Sequence, residues 1–276
     1  MELSQQQMDF FQTNGYLILE DFLTSAVCET LMAQIHYLID KHRDEIPSTI
    51  FSTQTNEHAR TDYFLNSGDK IHFFFEPDAF HGAGGLIYPL EQSLNKVGHA
   101  LHEYDPVFRK HSRDLRLKEM CQQLGFKKPC PIQSMYIFKQ PNIGAEVSCH
   151  QDATYLHARD DHVLGFWFAL EDATQENGCL EVIPGSVLTP LTRRMIRRNN
   201  DIYFEEYQQP SWDEQDGIPL EVKQGSLVLL SGRLPHKSNA NQSKKSRHAF
   251  TLHTIDAAYP YPATNWLRWP NGLPSW

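Results

Sequence analysis

No apolar run in the 276 residues approaches the roughly 20 that a membrane-crossing helix needs. The first ten residues, MELSQQQMDF, lack the basic start and apolar core of a signal peptide. The ending, Pro274-Ser275-Trp276, is not a peroxisomal address. Cysteine is sparse: Cys28, Cys121, Cys130, Cys149 and Cys179 are odd in number, scattered, and form no C-x-x-C pair. They read as reduced thiols rather than a disulfide framework. Positive charge is also short, with 25 Lys and Arg against 34 Asp and Glu, a net −9 that argues against a broad nucleic-acid face. No Pro/Gly/Ser-rich linker, composition shift or internal repeat divides the chain. These absences predict one cytoplasmic domain over residues 1–276, with no membrane, no nucleic acid and no obligate protein partner.

What is present is ordinary globular material: 40% of residues are hydrophobic, enough for a sizeable core. Two basic clusters stand out, R-R-M-I-R-R (Arg193–Arg198) and K-K-S-R (Lys244–Arg247). Such runs are expected as solvated faces, with a grip on phosphate or carboxylate as the alternative.

The first part, to about residue 125, reads as mainly helical. Ser4 can cap a short helix ending before Gly15, after which Tyr16–Leu19 reads as a strand. Val27, Leu31, Ile35 and Leu38 recur at helical spacing and predict a helix from Thr24 to about Asp44. Leu90, Leu94, Val97 and Leu101 suggest another, stopped by Pro106, and Ser112–Leu124 a third with Gly125 at its C-terminal cap. H-G-A-G-G (His81–Gly85) reads as a plain loop. After Pro129 the texture changes. Ile132–Lys139, Val163–Leu170, Cys179–Ile183, Glu221–Leu230 and His248–Ile255 are short, rich in β-branched and aromatic residues, and bounded by turns. The expected architecture is a jelly roll over about 130–256 with the N-terminal helices packed outside.

Within this frame lies S-C-H-Q-D-A-T-Y-L-H, Ser148–His157. Residues i and i+2 of a strand share a face, so His150 and Asp152 converge. An isolated H-x-D is a weak signal. Downstream, however, L-P-H-K-S supplies His236, and Arg247 follows eleven residues later. Jelly rolls lay early strands beside late ones, so His236 can complete a set begun by His150 and Asp152. Two histidines and a carboxylate on one face leave coordination positions open, which suits non-haem Fe(II) oxygen chemistry.

These motifs resemble the Fe(II)/2-oxoglutarate dioxygenases of the phytanoyl-CoA dioxygenase (PhyH) family, closest to its domain-containing-protein branch. So do N-G-Y-L-I-L-E-D-F-L, T-D-Y-F-L-N-S-G-D-K-I-H-F-F-F-E, Q-S-M-Y-I-F-K-Q-P and V-L-G-F-W-F-A-L-E-D-A-T-Q-E-N-G-C-L, spread over nearly the whole chain. The resemblance implies a mainly β, double-stranded β-helix (cupin-like) fold with flanking helices. It implies Fe(II), 2-oxoglutarate and O2 as reaction partners, ascorbate as reductant, and hydroxylation of a small-molecule or acyl substrate. Carried over position by position, it makes His150, Asp152 and His236 the iron ligands. It gives Lys96, Met135, His150, Gln151, Asp152, Trp167, Ser238 and Arg247 contacts to iron or 2-oxoglutarate. Many members carry a histidine after P-G-S, where this chain has Val187.

Other readings compete. Met135 and Trp167 on strands are ordinary core residues, and Lys96 an ordinary solvated lysine. Cys149 beside His150 invites a thiol nucleophile, but strand neighbours point to opposite faces. A jelly roll that binds metal without turnover has no use for open positions. A halogenating relative is excluded by Asp152, and a zinc hydrolase leaves Arg247 without a role.

Overall fold

The computed structural model describes residues 2–53, 61–82, 84–158, 162–186 and 189–276. Its strands are Tyr16–Leu19 (β1), Ile71–Phe75 (β2), Leu94–His99 (β3), Pro129–Ile137 (β4), Val147–His150 (β5), Val163–Ala169 (β6), Leu180–Val182 (β7), Arg193–Arg198 (β8), Asp201–Glu206 (β9), Ile218–Leu220 (β10), Leu227–Ser231 (β11), His236–Ser238 (β12) and Ala249–Asp256 (β13). Seven form one sheet in the order β1-β11-β6-β13-β4-β3-β2, four form a second in the order β10-β7-β12-β5, and β8-β9 is a separate hairpin. The strand pairings are antiparallel, and neighbours distant in sequence lie side by side, as in a jelly roll.

Alternation along the central strands decides what each face does. Phe250 and Leu252 of β13, with Phe166 and Phe168 of β6, point outward into a core shared with Leu31, Ile35 and Leu38 of the helix Ser25–His42. Thr24 caps that helix through its hydroxyl, and burying its apolar stripe holds it to the sheet. Trimming the fully buried Ile35 to alanine should cost about 2–5 kcal/mol of stability. The intervening residues of the same strands, Gly165, Trp167, Thr251 and His253, face inward toward the second sheet. The space between the sheets is where the polar residues gather.

Several local expectations hold. Ser4 builds a capping box with Gln7, and Gly15 closes the helix Gln5–Asn14 in the left-handed conformation. Gly125, at φ +94, follows the helix Leu115–Gln123.

The helix expected through Leu94 and Val97 is a strand instead. LNKVGH is buried at every position, so β3 shows none of the alternation that marks a half-exposed strand. A short helix, Leu101–Tyr104, does end before Pro106, and Pro106 opens the next, Pro106–Ser112, with Asp105 accepting from Val107 and Phe108 N–H. R-R-M-I-R-R is not a solvated face: it forms β8, with Met195, Ile196 and Arg197 buried. Val187 lies outside the described residues. Among the described residues, no helix is long and apolar enough to cross a membrane.

Candidate metal centre

His150 ends β5, and Asp152 opens the helical turn Asp152–Thr154 that follows. His236 begins β12 and stands directly opposite His150 in the ladder. The pairing brings the imidazole rings to 4.3 Å between centroids. His150 Nε2 is 3.6 Å and His236 Nε2 3.8 Å from the same carboxylate atom, Asp152 Oδ1. One ligand atom from each of the three lies within 4.8 Å of the others.

The backbone fixes the chemistry of both rings. His150 Nδ1 donates to Ser148 O at 2.8 Å, and His236 Nδ1 donates to Leu234 O at 3.0 Å. A carbonyl only accepts, so the proton is at Nδ1 in each ring and the Nε2 lone pair is free, aimed inward. Burial pushes the His236 imidazole down to about 4, which keeps it neutral. Burial alone would raise the Asp152 carboxyl, but His253 and His236, with His150, outweigh it and hold the carboxyl well below its usual range. The donor set is therefore two imidazoles that aim Nε2 inward and one carboxylate.

Asp152 Oδ2 has its own neighbour. His253 of β13 brings Nε2 to 3.2 Å, close enough for electrostatic attraction, yet Oδ2 is buried without a well-aligned hydrogen-bond donor. Gly165 makes this arrangement fit. It lies opposite His253 in the ladder, and a Cβ there would stand 3.3 Å from Asp152 Oδ2 and 3.6 Å from His253 Nε2. Neither residue is marked by sequence, because a glycine that makes room for a carboxylate looks like any strand glycine.

A cavity of about 190 Å³ extends from these residues between the sheets. At one end lies Arg247, fully buried. Its Nε donates to Gly178 O at 3.1 Å and its Nη2 to Ser238 Oγ at 3.3 Å, while Ser238 Oγ donates to the same carbonyl at 3.0 Å. The Trp167 ring centre is 5.2 Å from Arg247 Cζ. Nη1 is buried with no partner. A buried guanidinium with an unused donor is costly unless an acceptor arrives. Gly178, at φ +79, holds the anchoring carbonyl, and a Cβ there would lie 2.5 Å from Asn239 O.

Lys96 and Met135 line the same cavity from β3 and β4. Lys96 Nζ is 3.8 Å from Met135 Sδ and 3.3 Å from the Phe51 ring centre, and burial holds its ammonium well below its usual range. Gln151 does not line the cavity. Its Nε2 donates to Arg233 O at 2.7 Å and its Oε1 accepts from Thr192 N at 3.1 Å, so its amide ties two loops together. Burial pushes the Cys149 thiol up to about 11, which leaves it protonated and a poor nucleophile.

A sequence profile of the phytanoyl-CoA dioxygenase (PhyH) family matches residues 11–249. The rat phytanoyl-CoA dioxygenase domain-containing protein 1 is 44% identical, over 99% of this chain and 97% of its own. Phytanoyl-CoA dioxygenase 1 of rice is likewise 44% identical, over 96% of this chain and 94% of its own. Among solved structures, the non-haem alpha-ketoglutarate-dependent carbocyclase SnoK of nogalamycin biosynthesis superposes with a TM-score of 0.65 at 17% identity, over 95% of this chain and 88% of that one. At that identity the likeness is one of fold.

Proposed function

This chain belongs to the phytanoyl-CoA dioxygenase family, and on that premise we propose that His150, Asp152 and His236 hold iron(II), that Arg247 and Ser238 anchor 2-oxoglutarate, and that a small organic substrate is hydroxylated beside them. Membership makes the chain a non-haem iron, 2-oxoglutarate-dependent dioxygenase. The observation that carries the residue assignment is a pair of unfilled sets facing one cavity. One is two free Nε2 lone pairs and a carboxylate; the other is the unpartnered Nη1 of Arg247. The first set suits iron(II) and leaves positions open, and the second suits the far carboxylate of a dicarboxylic acid.

Bound there, iron supplies the redox chemistry by which substrate R–H, 2-oxoglutarate and O2 become R–OH, succinate and CO2. The chain's own part is positioning. Ser148 O and Leu234 O hold the two imidazoles in orientation and tautomer. Gly178 O holds Arg247 and Ser238 side by side, so a planar carboxylate meets donors already in place. Trp167, Met135 and Lys96 wall the cosubstrate space and keep water from it. Gln151 acts at one remove, by tying Thr192 and Arg233 to the turn that carries Asp152. Ascorbate would keep the iron reduced. A cytoplasmic setting accords with five free cysteines.

With iron(II), ascorbate and 2-oxoglutarate, the purified protein should slowly form succinate even without a prime substrate. Turnover should stop on adding a chelator. Tight 2-oxoglutarate binding with no succinate would favour a metal-binding protein without turnover.

Two substitutions probe the surroundings. Gly165→Ala crowds the Asp152 carboxylate, so iron(II) affinity should fall about 10-fold, as for a lost outer-shell partner, with little change in fold by circular dichroism. Cys149→Ala should keep both iron and turnover. An inactive Cys149→Ala protein with normal iron content would restore the thiol as a nucleophile.

A further inference from the structure

The four arginines of β8 have separate fates. Arg194 Nη2 donates to Thr264 Oγ1 at 2.7 Å and to Asn265 Oδ1 at 3.2 Å. Arg197 is buried and donates to Leu65 O, and Arg198 is exposed, 5.0 Å from the Tyr203 ring centre. Arg193 is the one that lines the cavity. Its Cζ is 4.6 Å from the Phe204 ring centre, and its guanidinium lies beside the Tyr155 hydroxyl. Glu206 faces it in the hairpin register but is exposed, and among the described residues no carboxylate forms an ion pair with it.

Tyr155 connects this cation to the metal centre. It lies three residues past Asp152, and its ring centre is 5.9 Å from that of His150. One tyrosine ring thus spans the distance between the Arg193 guanidinium and the candidate metal-binding set. Leu156, Met195 and Trp266 line the cavity too and share one apolar cluster with Tyr155 and Phe204.

A charge tally gives Arg193 its meaning. With iron(II) and 2-oxoglutarate bound, the metal's two positive charges, the cosubstrate's two negative ones, Asp152 and Arg247 sum to zero. Burial disfavours the charged form of Lys96, which already lies over the Phe51 ring. Of the other cations lining the cavity, Lys237 pairs with Glu181 at 3.1 Å and Lys139 donates to the carbonyls of Ala145 and Ser238, which leaves Arg193 as a half-buried cation with no carboxylate partner among the described residues.

We propose that the prime substrate is an organic monocarboxylate with an apolar body, its carboxylate gripped by Arg193 and its body lying against Leu156, Met195 and Trp266. The planar guanidinium matches a carboxylate with two parallel donors, whereas an acyl thioester presents no charge at that end. Phe204 and Tyr155 keep the guanidinium in place before the anion arrives. The proposal rests on the dioxygenase reading for what happens to the bound acid, but the anion site itself belongs to the cavity.

The test is calorimetric titration of octanoate, 3-phenylpropionate and their primary amides into the anaerobic iron(II) protein saturated with 2-oxoglutarate. The acids should bind at least about 10-fold more tightly than their amides. Arg193→Gln should weaken acid binding about 10- to 100-fold, the range for one lost charge-assisted bond, and leave the amides unchanged. Arg193→Lys should keep a smaller preference for acids, which separates loss of charge from loss of shape. Arg198→Gln, at the exposed end of the same strand, should match the unsubstituted protein. Equal affinity for acids and amides, undiminished acid binding by Arg193→Gln, acids that displace 2-oxoglutarate, or no acid binding at millimolar concentration would each overturn the proposal. A missing 2-oxoglutarate isotherm would instead sink the dioxygenase reading, and the acid-against-amide comparison, repeated without cosubstrate, would still decide the anion site.

Discussion

Asp152→Ala should lower iron(II) affinity by more than about 100-fold and take succinate formation to background. Losing an outer-shell partner typically costs 10–100-fold, and a directly coordinating carboxylate must exceed that. Asp152 is also the charge on which three imidazoles converge, at 3.6, 3.8 and 3.2 Å. Removing it leaves two imidazole rings and no anion to offset a dication. His150→Ala and His236→Ala should behave alike, since each removes one of two free lone pairs. Circular dichroism should be unchanged in all three, because the ladder between β5 and β12 is made by backbone groups. Anaerobic iron(II) titration reads the effect directly. Retained iron affinity in Asp152→Ala would move the metal elsewhere.

Arg247→Lys should raise the apparent KM for 2-oxoglutarate about 10- to 100-fold. The substitution keeps a charge but loses the fork and the free Nη1 donor, and one charge-assisted hydrogen bond is worth roughly 1.5–3 kcal/mol. Iron affinity without cosubstrate should hardly change. Lys245→Ala, in the exposed run just before it, serves as control and should be silent. An unchanged KM in Arg247→Lys, or an equal rise in Lys245→Ala, would remove Arg247 from the cosubstrate site.

The candidate metal-binding set, His150, Asp152 and His236, was legible as a cluster because its signals are local. H-x-D was legible as a close pair, although Asp152 lies in the turn after β5 and not on the strand, and P-H-K-S with an arginine eleven residues on marks the partner strands. The jelly roll that joins them was legible in the short, turn-bounded strands after Pro129. Contacts set by cross-strand neighbours were not. His253 and Gly165 acquire their roles only when β13 and β6 bring them beside Asp152, a juxtaposition no spacing encodes. Strand β3 escaped for the opposite reason: burial at every position removed the alternation, and Leu94 and Val97 happened to fall at helical spacing. That misassignment mattered, since as a strand residue Lys96 points into the cavity beside Met135. Gln151 sits between two residues of the metal-binding set, yet its amide is spent on Arg233 and Thr192. Arg193 was hidden inside a charge run, where composition suggests solvent and the hairpin instead gives one arginine to the cavity.

The most direct test of the dioxygenase site is release of CO2 from 2-oxoglutarate labelled at C1, by iron-loaded protein in air, compared with Asp152→Ala at equal protein concentration. The expected result is chelator-sensitive CO2 matched one to one by succinate, and none from Asp152→Ala. Equal CO2 from both proteins, or none from the unsubstituted protein with iron and 2-oxoglutarate demonstrably bound, would contradict it.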